Sequence, residues 1–251
     1  AEEVYAIDLD RDGDMDVLSA SSGDDKIAWY ENNGSQSFTA HTITTSADGA
    51  KSVYAVDMDN DGDLDVLSAS ESDDKIAWYE NNGSQSFTAH TITTDADGAK
   101  SVYAIDIDSD GDMDVLSAAY TENEKAWYEN DGSQSFTTHI IEANASGGGV
   151  ASFGARSVFA IDLDQDGDID IASASYDHTI KWYENTTATP ATPTFTEITI
   201  TTDCDGAVSV HAFDADGDGN LDVISACRLG DKIEWYKNNG SASFTTEISY
   251  T

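Results

Sequence analysis

Apolar residues along this chain come in short bursts, and the bursts recur in a fixed order. The first set reads Val4-Tyr5-Ala6-Ile7, then Val17-Leu18, then Ile27-Ala28-Trp29-Tyr30, then a run from Phe38 to Ile43. Each burst is short, rich in β-branched and aromatic residues, and bounded by Asp, Gly, Asn or Ser. That is how strands separated by tight turns read. The pattern predicts strands at Val4–Ile7, Asp16–Ser21, Lys26–Glu31 and Ser37–Thr44, and no segment carries helical periodicity. The strands are apolar on both faces, with Ile27 and Trp29 on one and Ala28 and Tyr30 on the other. A sheet exposed on one side would alternate instead, so these sheets are expected to be sandwiched between neighbours.

The turn between the first two strands organises the unit. Asp8-Leu9-Asp10-Arg11-Asp12-Gly13-Asp14-Met15-Asp16 places carboxylates at positions one, three, five, seven and nine, with glycine at six. Alternate side chains then converge while the glycine permits a sharp turn, which is the spacing of a looped calcium site. The pattern returns at Asp57, Asp59, Asp61, Asp63 and Asp65, at Asp106, Asp108, Asp110, Asp112 and Asp114, and at Asp162, Asp164, Asp166, Asp168 and Asp170. A last copy has Asp214, Asp216, Asp218 and Asp222, with Asn220 at position seven. No copy carries the acid at position twelve that an EF-hand needs, and the flanks are strands rather than helices. The expected donors are the carboxylates at one, three, five and nine plus the carbonyl at seven, one Ca²⁺ per repeat and five in all.

The loops begin at residues 8, 57, 106, 162 and 214, and Trp29, Trp78, Trp127, Trp182 and Trp235 keep the same beat. Several strands within a repeat of this length point to propeller blades. The expected fold is a single all-β domain over 1–251, a five-bladed β-propeller of four-stranded antiparallel blades. Its blades fall near 1–48, 49–97, 98–150, 151–204 and 205–251, each with its calcium loop between strands one and two. The last unit keeps its own final strand, so closure would rest on packing between first and last blades; the alternative is an arc of a larger propeller. Departures from the repeat sit in turns and connections. They include Tyr120 to Glu124, a glycine-rich connection from Asn144 to Arg156, and Asn185 to Thr194 with Pro190 and Pro193.

Composition sharpens the functional reading. The net charge is −38, from 49 acids against 11 bases, and five divalent ions would cancel only ten of those charges. Such a surface excludes nucleic acid and anionic membrane as partners and suits a saline medium, where screening weakens self-repulsion. No apolar run is long enough to insert in a membrane. Loops of this kind work at extracellular calcium levels, so the expected location is outside the cell, secreted or at the surface. The chain begins at Ala1, as a mature secreted protein would.

The two cysteines, Cys204 and Cys227, lie in the last unit. One is in the connection before its first strand and the other near the end of its second. The antiparallel return brings those ends together, so an oxidising compartment should join them in a disulfide.

With these residues in view, the chain resembles the FG-GAP/VCBS family of calcium-loop propellers, seen in integrin α subunits and fungal propeller lectins. The best expression is Phe153-Gly154-Ala155-Arg156-Ser157-Val158 leading into Asp162-x-Asp164-x-Asp166-Gly167. The other units lack the Phe-Gly pair, and Ser19-Ala20-Ser21 stands where Gly-Ala-Pro would be. The resemblance implies a propeller with one calcium per loop and leaves the ligand open.

No nucleophile elbow, zinc-binding His pair or phosphate loop is present. His41, His90 and His139 share one place in three fourth strands, which reads as structural, and His211 stands alone among the aromatics of the first strands. The chain is therefore read as non-enzymatic, a binding module for a glycan or an extracellular protein of lectin or adhesion type. The alternatives are a non-catalytic accessory domain of a larger secreted protein and a polysaccharide lyase or dehydratase on the same scaffold. Candidate ligand residues on the face of the second-to-third-strand turns are Tyr120, Tyr176, His178 and Arg228.

Overall fold

The chain is all-β in the computed structural model, which describes residues 1–121, 123–143, 154–187, 192–240 and 243–250, the side chains of 248–250 apart. Five sheets each take four consecutive strands in simple order. The first holds β1 (Glu3–Ile7), β2 (Asp16–Ser21), β3 (Lys26–Asn32) and β4 (Phe38–Thr44). The second holds β5 (Ala50–Val56), β6 (Asp65–Ser70), β7 (Lys75–Asn81) and β8 (Phe87–Thr93). The third holds β9 (Ala99–Ile105), β10 (Asp114–Ala119), β11 (Glu124–Asn130) and β12 (Phe136–Glu142). The fourth holds β13 (Ala155–Ile161), β14 (Asp170–Ser175), β15 (Thr179–Asn185) and β16 (Phe195–Thr201). The fifth holds β17 (Ala207–Phe213), β18 (Asp222–Cys227), β19 (Lys232–Asn238) and β20 (Phe244–Tyr250). Five four-stranded antiparallel sheets are the blades of a five-bladed β-propeller, and among the described residues there is no helix.

Two expectations shift at their edges. Arg156 is the second residue of β13 rather than the end of a connection, so the departure there is confined to the segment before the strand. Residues 144–153, which include the glycine run and Phe153, lie outside the described residues, as do Glu122 and Pro190. The third strands also run one residue past the expected end, to Asn32 in the first blade, and that extra residue proves to matter.

The chain divides into two compact units. One is Ala1–Ala104 with Asp112–Ala119 and Ala126–His139; the other is Ile105–Gly111 with Tyr120–Lys125 and Ile140–Thr251. Within the first, Leu18, Ile27 and Trp29 of one blade pack on Ala50, Val53, Ala77 and Tyr79 of the next. The same arrangement repeats one step on, with Leu67, Ile76 and Trp78 against Ala99, Val102, Ala126 and Tyr128. In the second unit Ile180 and Trp182 meet Ala207, Val210 and Tyr236. A large face therefore meets a small one at each contact, which keeps packing dense without strain. The tyrosine hydroxyl that comes inside with the small face is matched by a serine, as between Ser68 Oγ and Tyr79 Oη at 3.1 Å.

Fourth strands brace the large face. His41, His90 and His139 stack on Trp29, Trp78 and Trp127 at 4.6, 4.5 and 4.4 Å between ring centroids. Their Nε2 atoms lie 2.8, 2.8 and 2.6 Å from Glu31, Glu80 and Glu129. These histidines are structural.

In the second unit the repeat is broken by charge. Lys125 occupies the place of Ile27 and Ile76 and is fully buried. Lys181 occupies the place of Ala28 and Ala77. Glu142, the last residue of β12, joins them, with Nζ–Oε distances of 2.8 Å to Lys125 and 2.7 Å to Lys181. Tyr183 Oη donates to the same carboxylate. Burial alone would raise the Glu142 pKa, but the two ammonium groups outweigh it and hold the value down at about 2.

Cys204 and Cys227 are joined by a disulfide with a Cα–Cα distance of 5.0 Å, fastening the connection before β17 to the end of β18. The bridge closes a loop of 23 residues. Replacing both cysteines with alanine should lower stability by about 2–4 kcal/mol, seen as an earlier urea midpoint with a steeper slope, because the unbridged unfolded chain exposes more surface. An unshifted midpoint would show that the bridge contributes nothing.

Candidate functional site

The loop between the first two strands of each blade folds around its own carboxylates. In the first, Gly13 N donates to Asp8 Oδ2 at 3.0 Å, Asp12 N to Asp10 Oδ1 at 3.1 Å and Asp14 N to Asp12 Oδ1 at 2.9 Å. Gly13 sits at φ +99°, a conformation closed to side-chain-bearing residues. One oxygen of each of these acids is thus spent on the backbone, and the other makes none of these bonds. Asp8 Oδ1 is buried with no hydrogen-bond partner, and so are Asp57 Oδ1 and Asp162 Oδ1 in their own loops. One oxygen from each of Asp8, Asp10 and Asp16 can lie within 4.8 Å of the others; Asp57, Asp59 and Asp61 form such a group, and so do Asp162, Asp164 and Asp170. The donors are carboxylates throughout, the ligand set of a hard cation.

The acid at position nine differs from the others. Asp16 is 1% exposed; its Oδ2 accepts from Leu9 N at 3.0 Å and its Oδ1 from Asn32 N at 2.7 Å. Asp65, Asp170 and Asp222 repeat both bonds. Burial pushes Asp65 up to about 6 and Asp170 up to about 7. Asp10, Asp59 and Asp164 are also raised, by burial first and by neighbouring carboxylates after it. Burial thus makes the ionised form of these carboxylates costly, and a proton or a cation would relieve that cost.

Position seven faces the other turn. A side chain at Gly34, in the Asn-Gly hairpin, would meet Asp14, and Gly83, Gly132 and Gly240 stand in the same relation to Asp63, Asp112 and Asn220. The acidic loops and the third-to-fourth-strand hairpins therefore share one end of the blade. Among the described residues no glycine stands in that relation to Asp168, whose blade replaces the Asn-Gly hairpin.

Two loops stand apart. The third, Asp106 to Asp114, runs from one unit into the other; Gly111 N donates to Asp106 Oδ2 at 3.1 Å, Asp110 N approaches Asp108 Oδ1 at 3.2 Å, and Asn130 N donates to Asp114 Oδ1 at 2.9 Å. In the fifth, Gly217 N donates to Asp214 Oδ1 at 2.7 Å, and in the third Asp110 N donates to Asp106 Oδ1 at 3.1 Å, so the oxygen orphaned in the first, second and fourth loops is occupied in these two. Lys237, in the place of Glu31 and Glu80, reaches Asp216 and lies 3.1 Å from Asp218. This loop carries a cation of its own.

At the opposite end of the blade lie the second-to-third-strand turns and the residues read as ligand candidates. Arg156 stacks over Tyr120 at 4.4 Å and over Tyr176 at 5.0 Å. His178 takes a structural post: its Nδ1 accepts from Gly206 N at 3.0 Å, as Asp25 Oδ1 accepts from Gly49 N. Asp205 Oδ1 is 2.9 Å from the same nitrogen, a partner it can serve only when Nδ1 carries a proton. Arg228 is exposed beside a shallow apolar depression formed by Val208, Ala226 and Ile233.

A profile of the FG-GAP-like repeat matches residues 8–68, 57–117, 106–172 and 162–225, each match running from one loop into the next blade. The chain belongs to the FG-GAP-like repeat family. Among solved structures it is similar to a lectin from Agrocybe aegerita described as recognising non-reducing terminal N-acetylglucosamine, with TM-score 0.64 and 17% identity over 99% of this chain and 66% of that one. A Lactobacillus plantarum protein gives 0.64 and 14% over 89% and 62%. A functionally unknown protein from Desulfotomaculum acetoxidans gives 0.60 and 11% over 93% and 66%. The chain thus spans less than two thirds of each of these neighbours. No curated protein matches it.

What sequence reading of this FG-GAP chain missed is the asparagine that closes each third strand. Asn81 is 1% exposed; its Nδ2 donates to Leu64 O at 3.1 Å, and its Oδ1 accepts from Gly83 N at 3.2 Å and Gln85 N at 3.0 Å. It ties loop to hairpin. The signal was present, as Asn recurs at 32, 81, 130, 185 and 238, but the Asn-Gly motif beside it reads as a turn and hides the second role. Asn81→Ala should cost about 1–3 kcal/mol by leaving buried groups unpaired. The exposed neighbour Asn82→Ala serves as control, and equal urea midpoints for the two variants would refute the tie.

Proposed function

We propose that the chain is a calcium-dependent binding module of lectin type that works outside the cell and takes a glycan. The observation that carries the reading is the change of side-chain class along one turn face. Ser22 and Glu71 of the first two blades give way to Tyr120 and Tyr176, with an arginine between them. Tyrosine offers a flat apolar face and a hydroxyl, the pairing a sugar ring needs. The fold shared with a fungal lectin supports it. A non-catalytic role is supported by the histidines, which are held in stacking and bracing posts.

The metal part of the reading rests on the orphaned oxygens of Asp8, Asp57 and Asp162. In the first loop Asp8, Asp10, Asp12 and Asp16 with the carbonyl of Asp14 would hold the ion, and the other loops would follow suit. All donors are oxygen and the cage is flexible, which suits calcium over magnesium. When bound, the ion supplies positive charge that relieves the repulsion among the carboxylates. The fifth loop is set apart, because Lys237 already supplies that charge.

Chelation should lower the melting temperature, and calcium rather than magnesium should restore it; an unchanged melting curve in excess chelator overturns the metal reading. Calcium titration should fill the first four loops before the fifth, and Lys237→Glu should strengthen the fifth. Asp65 and Asp170 fix the pH dependence. Their folded values of about 6 and 7 lie above the ordinary carboxylate value, so in metal-free protein their stabilising effect is full below pH ~4. It is lost as pH rises through 6 to 7. Chelated protein should melt lower at pH 8 than at pH 5.5, and the calcium-loaded protein should not. A glycan array probed with and without chelator tests the binding role: calcium-dependent binding is expected, and a blank array overturns it.

A further inference from the structure

The turn face carries a regular charge relay in the first unit. Lys51, second residue of β5, lies 3.0 Å from Glu2 and 3.1 Å from Glu71. Lys100, second residue of β9, pairs with Glu71 as well. The acid directly after β6 thus neutralises two cations, Lys51 of its own blade and Lys100 of the next, and Glu2, just before β1, adds a second partner to Lys51. The same position in β13 is Arg156, and the position of Glu71, directly after the second strand, is Tyr120 in the third blade and Tyr176 in the fourth. The cation has been kept, and a ring stands in place of the Glu71-type acid at the turn on each side of it.

The result is a guanidinium stacked between two tyrosines. Its Nε is buried with no hydrogen-bond partner, and among the described residues no carboxylate pairs with it. That is unusual in a chain with 49 acids and 11 bases, where the other cations of this relay all find an acid. Stacking fixes the plane of the guanidinium and leaves its edge for a planar two-oxygen acceptor. Gly154 holds the strand close beside this turn, since any side chain there would collide with the Tyr120 carbonyl.

We propose that Arg156, between Tyr120 and Tyr176, anchors a saccharide that carries a carboxylate, an acidic sugar of uronate type. This rests on the glycan-binding reading above and specifies its ligand. One guanidinium balances one monovalent carboxylate. A phosphate dianion would call for a cluster of basic residues, whereas among the described residues Arg156 alone stacks on these two rings, and the net charge of −38 opposes a dianion more strongly. The tyrosines supply the surface on which the sugar ring rests.

The test is calorimetric titration of calcium-loaded protein with a disaccharide ending in glucuronic acid and with its glucose-ended counterpart. The acid should bind about tenfold or more tighter, the range of one charge-assisted pair. Arg156→Gln should erase that preference while keeping the weaker affinity for the neutral sugar. Arg156→Lys, which keeps the charge and loses the planar fork, should fall between, with melting curves of both variants confirming the fold. The proposal is overturned if the acid fails to bind at millimolar concentration, if wild type treats the two sugars alike, or if Arg156→Gln binds the acid as wild type does. In each of those cases binding of neutral glycans on the array would leave the lectin reading standing, whereas a blank array removes both.

Discussion

Each blade depends on one buried carboxylate. The aspartate that ends the loop, Asp16 in the first blade, takes an amide from the start of its own loop and another from the end of the third strand. It locks three strands into one register with a single side chain. The same group belongs to the acidic cluster, so the fold and the site share an atom pair. Desolvation makes such a carboxylate costly unless a positive charge or proton comes to it. The arrangement therefore links the integrity of the sheet to the occupancy of the loop, blade by blade.

Much of this was legible in the chain itself. The alternation of apolar bursts with Asp-Gly and Asn-Gly turns indicated twenty strands in five groups, because strand and turn chemistry are local. Ile27 with Trp29 on one face and Ala28 with Tyr30 on the other showed that both faces are apolar and the sheets sandwiched. What remained hidden depends on neighbours distant in sequence. The local sequence pattern does not single out Lys125 or Lys181, and the packing of β11 and β15 around Glu142 is what shows them inside. Arg156 reads as the end of a connection until β13 is seen to begin before it. The fifth loop matches the calcium spacing as well as any, yet Lys237 reaches it from another strand.

Comparing blades column by column recovers part of what local reading cannot. A lysine in a column of isoleucines, or a tyrosine in a column of acids, is a departure against a known background. In this chain those departures concentrate in Tyr120, Lys125, Glu142, Arg156, Tyr176 and Lys181, all in one unit. The first two blades, nearly identical, define the default from which they depart.

That near-identity raises a problem of assembly. Blades with the same large and small faces can stack in any order, and a chain of them has many compact arrangements of similar energy. Lys125, Glu142 and Lys181 remove that degeneracy. Setting Lys181 against the apolar face of Ile76, or Lys125 against that of Ala77, would bury an ammonium group with no acid to receive it, at a cost of several kcal/mol. Only one neighbour relieves each lysine. A triad that adds little net stability thus works as an address, telling otherwise interchangeable blades where they belong.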